Sequence, residues 1–239
     1  CLIEALAARR GELKDVQLAA LPQAQWHHDL AGVPDDAPVL LVANEFLDAL
    51  PVRQMVKADG GWRERMVGHE DGRFLPVIGA RPMDAAVPEA LRDADPGTII
   101  ETCPGAAAVV AEVAGRLARN GGAALFIDYG HAEFRTGSTF QAVRAHQKVD
   151  PFAGPGQSDL TALVDFATMA EVAQAHGARW LGTTTQGEWL RALGIETRAA
   201  ALCARAPDQA EAVQAAKQRL VSPEEMGTLF KVMGLAAPG

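Results

Sequence analysis

The chain has 239 residues, of which 49% are hydrophobic and 22% are charged, and its formal net charge is −8. This composition is typical of a soluble globular protein long enough for one domain with an insertion, and it excludes a disordered or fibrous chain. The acidic balance argues against nucleic acid as the principal partner, and no apolar stretch reaches the length that spans a bilayer.

The cysteines and histidines give no pattern for a metal site. Cys1, Cys103 and Cys203 are widely separated, which indicates a reducing compartment and no structural zinc. His27 and His28 are adjacent, so in a strand they would point to opposite faces and could not hold one ion together. We therefore expect no metal.

The N-terminal part of the chain begins in the middle of a helical pattern. Residues 1–10 read as an amphipathic helix that lacks a capping residue, so we expect a further segment before it. No signal peptide is visible at this end of the sequence. Residues 14–21 read as a second helical piece. A short strand at 25–28 follows, with Asp29 and Leu30 just beyond its end.

An apolar run at 39–43 ends abruptly in polar residues. Strands that are buried on both faces read as continuous runs of this kind, and open parallel sheets bind ligands beyond the carboxyl ends of their strands. Asn44, Glu45 and Asp48 would lie at such an end. The alternative is that Asn44 caps a helix whose first turn carries the two acids.

A β-rich segment then interrupts the alternation of strands and helices. Residues 53–67 predict a hairpin around Asp59-Gly60-Gly61, and residues 73–78 predict a third antiparallel strand. We assign residues 53–96 to a β-hairpin-rich insertion in a single domain that covers residues 1–239.

Two further strands are predicted to end in acids. Residues 98–100 form a strand that ends at Glu101, and residues 104–119 form a helix that begins at a proline. The next strand ends at Asp128 and Tyr129, and Gly130 suggests a sharp turn. Because three strands finish in acids, a single shared crevice is expected.

The C-terminal half predicts more helix than strand. Asp165 is expected to cap the helix that follows it. Further expected helices cover 139–146, 166–176, 187–193, 196–205 and 208–220, with strands at 179–184 and, as a last edge strand, 230–233. The alternation up to Gly130 predicts a doubly wound α/β sheet, and the glycine motifs of P-loop proteins and α/β-hydrolases are missing.

Three spaced blocks of the sequence stand out. They are Asn-Glu-Phe-Leu-Asp-Ala-Leu-Pro at 44–51, Asp-Tyr-Gly-His at 128–131, and Asp-Leu-Thr-Ala with the following Asp-Phe at 159–166. These blocks resemble those of the MidA/NDUFAF7-type S-adenosylmethionine-dependent methyltransferases. The resemblance covers about residues 13–230. It implies a class I methyltransferase (Rossmann-like) doubly wound α/β sheet that is mostly parallel with an antiparallel edge strand, and S-adenosyl-L-methionine as the cofactor.

The resemblance also implies an acceptor and a location. Mitochondrial members of the family dimethylate an arginine on a core subunit of respiratory complex I during its assembly, so a protein acceptor of this type is expected. A homodimer is one option for the oligomeric state. The location would be the cytoplasm in a bacterium and the mitochondrial matrix in a eukaryote.

One family feature is not in the sequence. Family members carry a strand that ends in a glycine-rich loop, which holds the methionine part of the cofactor, before the helix that residues 1–10 resemble. A second strand, whose terminal acid binds the ribose, should lie near residues 10–13. Either the chain joins pieces across gaps, which is the interpretation we favour, or the protein has lost cofactor binding and acts as a non-catalytic assembly factor.

Methyl transfer to a guanidine nitrogen requires carboxylates that orient the guanidinium and allow the loss of a proton. We assign catalysis to Glu45, Asp48, Asp128 and Tyr129, with Asp128 and Tyr129 on the acceptor side. A small-molecule methyltransferase remains an alternative.

The remaining assignments concern the two ligands. By analogy with class I enzymes, Asp29 and Leu30 would lie near the adenine, and Asn44 and Glu45 near the rest of the cofactor. On the acceptor side we place Asp159, Thr161 and His146. The alternative is that Asp159 and Thr161 are structural and that His146 is a packed histidine rather than a base.

Overall fold

The computed structural model describes residues 2–3, 19–27, 29–145 and 147–239. Within them the strands are β1 (Leu2–Ile3), β2 (Trp26–His27), β3 (Val39–Asn44), β4 (Arg53–Ala58), β5 (Gly61–Glu70), β6 (Arg73–Pro82), β7 (Ile99–Thr102), β8 (Gly122–His131), β9 (Gln141–Arg144), β10 (Gln147–Val149), β11 (Asp159–Thr161), β12 (Val164–Asp165), β13 (Arg179–Thr185) and β14 (Phe230–Ala236). The helices are α1 (Pro104–Asn120), α2 (Phe166–Ala175), α3 (Gln186–Ala192), α4 (Ile195–Arg205), α5 (Ala210–Val221) and α6 (Met226–Leu229).

The main sheet is built around β8. On one side β8 pairs in parallel with β3 and, further along, with β12, and on the other side it pairs antiparallel with β14. Within the residues that the structure describes, β13 pairs with β14 alone and forms that border of the sheet. The predicted strand at 230–233 is therefore confirmed, but its expected position at the edge is wrong, because β14 has a hydrogen-bonded neighbour on each side.

Helices cover both faces of the main sheet, as expected for an α/β protein. On one face Phe126 and Met233 are buried with residues of α1 and α2. On the other face Ile127 and Val232 pack against Trp189 of α3 and against α6. The alternation of side chains along β8 makes this two-sided core possible. None of the helices in the described ranges is long and apolar enough to cross a membrane.

The second sheet is an antiparallel meander in the order β6-β5-β4-β7. The predicted hairpin and third strand are confirmed, although β6 extends to Pro82. Trp62 is fully buried there beside Ile100. The expectation that 98–100 belongs to the parallel sheet is wrong: β7 pairs antiparallel with β4, because residues 53–56 supply a partner along its whole length.

A small three-stranded sheet lies between β8 and β12 in the sequence. Strand β9 pairs antiparallel with both β10 and β11. The predicted helix at 139–146 is therefore wrong over 141–144, because pairing on both sides outweighs the local helical pattern. His146 lies outside the described residues, so its assigned role stays a prediction.

The N-terminal predictions are tested only in part. Leu2–Ile3 pairs in parallel with Trp26–His27, so the expected helix at 1–10 is wrong at these two residues and the strand at 25–28 is confirmed at its centre. The rest of that helix, residues 14–18 of the second helical piece, and His28 lie outside the described part of the chain.

The other C-terminal predictions agree with the structure. Asp165 accepts the backbone N–H of Thr168 and caps α2, as expected. The predicted strand at 179–184 and the helices near 187–193, 196–205 and 208–220 are found within two residues of their expected limits.

Candidate active site

The candidate site begins at the loop that follows β3. The backbone N–H of Glu45 continues the strand pairing by donating to the Ile127 carbonyl at 2.9 Å, but the φ angle of Glu45 is +48°. A non-glycine residue in this left-handed region is strained, and such strain is concentrated at functional sites. No helix follows directly over residues 45–51, so the alternative in which Asn44 caps a helix is wrong.

Asp128 on β8 holds this loop in place. Its Oδ2 atom accepts three consecutive backbone N–H groups, those of Phe46 at 3.1 Å, Leu47 at 2.9 Å and Asp48 at 3.2 Å. Its Oδ1 atom accepts the N–H of Tyr129 at 2.9 Å. Asp128 is 1% exposed, so its carboxylate is shielded from solvent and bonds to the backbone of the loop instead.

Asp128 and Tyr129 point to opposite faces of the sheet, as neighbours in a strand must. Tyr129 lies on the face of Phe230, with ring centroids 4.1 Å apart, and lines the main cavity. Asp128 lies beneath the loop and does not line that cavity. The prediction that both side chains line the acceptor side is therefore wrong for Asp128.

A cavity of about 920 Å³ brings together most of the predicted catalytic and acceptor residues. It is lined by the loop after β3, by the end of β8, and by one face of the small sheet, including residues of β9 and β11. Five predicted residues contribute to it: Glu45, Asp48, Tyr129, Asp159 and Thr161. Residues far apart in the sequence thus share one cavity, but two of the strand-end acids expected in a shared crevice, Glu101 and Asp128, do not line it.

Burial changes the acid–base properties of this cavity. Burial and the nearby charge of Glu45 raise the pKa of Asp48 to about 6. Burial and the charge of Asp48 raise the pKa of Asp128 to about 7, although its backbone N–H donors act in the opposite direction. Burial and the neighbouring carboxylates also raise the pKa of Tyr129, so its phenol keeps its proton at neutral pH.

Glu101 fixes one wall of the cavity, a role that the sequence analysis missed. Its carboxylate accepts the N–H and hydroxyl of Thr139, the N–H of Phe140 at 3.3 Å, and the amide of Gln54 at 2.6 Å. The Thr139 hydroxyl oxygen accepts in turn the N–H of Leu163 at 2.9 Å. The acid at the end of a strand was visible in the sequence, but its partners come from distant segments.

Two of the four predicted cofactor residues line a second cavity, which also borders β3. Leu30 and Asn44 line a separate cavity of about 590 Å³ that also contacts Phe46. Asp29 does not line it, because its side chain accepts the N–H of Gly32 and caps a short 3-10 helix at Leu30–Gly32. The Asn44 amide donates to Glu45 at 3.4 Å, so these two residues lie where the two cavities approach each other.

A smaller cavity of about 140 Å³ lies next to the main one. Asp48, Arg135 and Leu163 line both of them, and Asp165 and His131 line the smaller one. In the described parts of the chain, no cluster of three or more histidine, cysteine or acidic residues has the geometry to hold a metal ion.

The sequence matches a known family. Residues 4–184 match a family described as "Putative S-adenosyl-L-methionine-dependent methyltransferase". The chain is 35% identical over 211 residues to "Protein arginine methyltransferase NDUFAF7, mitochondrial" of Xenopus tropicalis. The matched region covers 86% of this chain and 48% of that protein. The protein of the same name from Mus musculus is 34% identical over 230 residues, with 93% of this chain and 51% of that protein covered.

A solved structure shares the fold. The crystal structure of a COG1565 superfamily member from Burkholderia thailandensis, bound to S-adenosyl-homocysteine, superposes with a TM-score of 0.81 at 32% identity. The superposition covers 98% of this chain and 62% of the other. The chain thus spans about half the length of the curated relatives it matches.

Proposed function

The chain belongs to the family of S-adenosyl-L-methionine-dependent methyltransferases, and we propose from this premise that the protein transfers a methyl group to an arginine of a protein acceptor. The observation that carries the proposal is the cavity in which Glu45, Asp48 and Tyr129 meet, beside the cavity lined by Leu30 and Asn44. The relatives named above as protein arginine methyltransferases support the choice of acceptor.

The residues around Asn44 fit the donor. Leu30 and Asn44 would hold S-adenosyl-L-methionine, and Glu45, which accepts a hydrogen bond from the Asn44 amide, would place a carboxylate near its positive sulfonium. When bound, the cofactor supplies an electrophilic methyl group. Asp29 would support the turn at Leu30 rather than contact the adenine, since its side chain already accepts the N–H of Gly32.

The acceptor side provides orientation and a proton acceptor. Glu45 and Asp48 bind the guanidinium and orient one nitrogen toward the donor. As the nitrogen–carbon bond forms and the carbon–sulfur bond breaks, the nitrogen loses a proton, which Asp48 accepts. A pKa of about 6 suits this role better than that of an ordinary exposed aspartate. Tyr129 acts as a neutral hydrogen-bond donor at the cavity wall.

Other residues serve this site indirectly. Asp128 is a positioning residue, because it shapes the loop that carries Glu45 and Asp48. Asp159 and Thr161 bind the acceptor from the opposite wall, and the Thr161 hydroxyl oxygen accepts from Gln141 at 3.3 Å. We keep a respiratory complex I subunit as the candidate acceptor, with the reaction in the mitochondrial matrix or, in a bacterium, the cytoplasm.

The decisive test measures cofactor binding and arginine methylation separately. Calorimetry of the full-length protein should detect S-adenosyl-L-methionine binding, and mass spectrometry of acceptor peptides should find methylarginine. The Asp48→Asn variant should bind the cofactor normally and lose most of its transfer rate. Arg81→Gln, which alters an exposed residue of β6, is the matched control.

Three other results would each point elsewhere. Failure to bind the cofactor would favour a non-catalytic assembly factor, whose partner or second copy would contact the exposed Met66, Val67 and Ile78 of the β5–β6 hairpin. Methylation of free amines but of no peptide would favour a small-molecule methyltransferase. A Glu45→Gln variant that methylates at the parent rate would remove Glu45 from the mechanism.

A further inference from the structure

Three cationic side chains line the main cavity together with the carboxylates. They are Arg135, from the segment after β8, Lys148 of β10 and Arg219 of α5. All three are exposed. In the part of the chain that the structure describes, none of them has a carboxylate oxygen within 4.0 Å. The three cations are therefore not engaged in ion pairs with the described residues.

The small sheet places part of this charge on the cavity wall. Val143 of β9 lies opposite Lys148 on one side and Asp159 on the other. Residues directly opposite each other in antiparallel strands share a face, and all three line the cavity. This wall therefore presents a positive and a negative side chain on the two strands that flank β9.

Arg219 approaches the cavity from a different helix. Its charge acts on the Tyr129 phenol and lowers its pKa, against the larger effects of burial and of the carboxylates. Positive charge thus reaches the neighbourhood of Tyr129. Glu45 and Asp48 line the same cavity, so charges of both signs surround the region where the acceptor would bind.

The cations do not belong to the donor side. None of the three lines the cavity formed by Leu30 and Asn44. A guanidinium that entered the main cavity alone would be attracted by three acids, Glu45, Asp48 and Asp159, and repelled by three cations. Its entry becomes more favourable if the rest of the bound ligand brings negative charge.

We propose that the acceptor is a protein segment with acidic residues beside the target arginine, and that these residues pair with Arg135, Lys148 and Arg219. The inference rests on the proposed function. A cavity of about 920 Å³ lies near the upper end of the range that drug-sized ligands fill, so it accommodates several residues rather than one side chain. Partly exposed ion pairs favour encounter and selectivity more than affinity, and salt weakens them.

The test compares three peptides that differ only around one arginine, with glutamate, glutamine or lysine as the flanking residues. Binding of labelled peptide to the full-length protein is measured by fluorescence anisotropy in the presence of S-adenosyl-homocysteine, and methylation is measured in parallel. The acidic peptide should bind at least ten-fold more tightly than the glutamine peptide at low salt. The difference should shrink several-fold in high salt.

Variants assign the preference to the cavity. Arg219→Gln and Lys148→Gln should each reduce the preference for the acidic peptide about three-fold or more. The double variant Lys148→Glu with Arg219→Glu should reverse it toward the lysine peptide. Arg81→Gln, outside the cavity, should keep the full preference, and thermal unfolding would check that each variant folds.

The two readouts separate this inference from the function. Equal binding of the three peptides, or a preference that survives both glutamine substitutions, would overturn the inference even if arginine is methylated. A cavity-dependent preference for the acidic peptide without any methyl transfer would instead support the inference as a binding property and count against the proposed function.

Discussion

The Oδ2 atom of Asp128 accepts the backbone N–H of Leu47 at 2.9 Å, and this bond joins the end of β8 to the loop after β3. The N–H groups of the residues on either side of Leu47 point to the same oxygen. The position of the loop that carries Glu45 and Asp48 therefore depends on a buried side chain that lies outside the cavity.

Removal of the Asp128 carboxylate should destabilise the protein and displace this loop. The Asp128→Ala variant removes the acceptor of four backbone N–H groups, those of residues 46–48 and of Tyr129, so the free energy of unfolding should fall by about 3 kcal/mol or more, as measured by urea denaturation. Asp165→Asn is a suitable control, because asparagine caps a helix about as well as aspartate and should change stability by less than about 0.5 kcal/mol. Equal effects of the two substitutions would contradict the positioning role.

The ionisation of Asp48 should make stability fall as the pH rises. Its pKa is about 6 in the folded protein and near 3.8 in an unfolded chain, so the folded state binds more protons between these values. The contribution of Asp48 to the free energy of unfolding is therefore greatest below about pH 4, and it is lost as the pH rises through about 6. Compared with Asp48→Asn, the parent protein should lose roughly 2–3 kcal/mol over this range in urea denaturation.

The same ionisation should have the opposite effect on activity. If Asp48 accepts a proton, kcat should rise with pH through about 6 while the protein is still folded. A kcat that is flat from pH 5 to 8 would remove Asp48 as the proton acceptor.

Substitution of Glu45 by glycine should separate the effect of backbone strain on stability from the effect of the side chain on methyl transfer. Because Glu45 has a φ of +48°, Glu45→Gly should be about 1 kcal/mol more stable than Glu45→Ala, whereas both variants should lose methyl transfer. Asp71 also has a φ of +48°, in the turn between β5 and β6, and offers the matched pair. The same stability difference is expected there without an effect on activity. Thermal unfolding and the methylation assay measure the two quantities.

Alanine at Gly130 should disrupt the junction between β8 and β12. A Cβ atom there would lie 2.4 Å from the Val164 carbonyl oxygen and 2.6 Å from the Phe166 ring. Such overpacking should cost about 2 kcal/mol or more. At Gly105, in α1, the nearest atom would be a Leu50 carbon at 3.7 Å, so Gly105→Ala should leave stability unchanged or raise it by up to about 1 kcal/mol. Similar unfolding temperatures for the two variants would exclude close packing as the reason for glycine at 130.

Local patterns predicted the elements better than they predicted the contacts between elements. Pro104 marks the start of α1, and Asp165 was recognised as a cap, because these signals depend on neighbouring residues. The strand that ends at Glu101 was found, but its partner in the second sheet was not, since pairing depends on distant residues. Gly130 was expected to make a turn, yet it lies within β8 and is required by close packing.

In the candidate site, too, the residues were predicted better than the contacts between them. The polar residues after β3 and at the end of β8 were identified from the sequence, and Glu45, Asp48 and Tyr129 do meet in one cavity. Strand alternation predicts that Asp128 and Tyr129 point to opposite faces of the sheet. Which of the two faces borders the cavity could only be learned from the packing of the sheet. Arg219 was not predicted, because no local pattern connects α5 with this cavity.

The position of β14 between β8 and β13 has a consequence for biosynthesis. Among the described residues, β13 is joined to β8 through residues 230–236, which are made about fifty positions later. While the chain is being synthesised, the facing borders of β8 and β13 have unpaired hydrogen-bonding groups, to which a molecular chaperone or a foreign strand can bind. A cell that makes this protein therefore has reason to protect the nascent chain until β14 has paired with both strands.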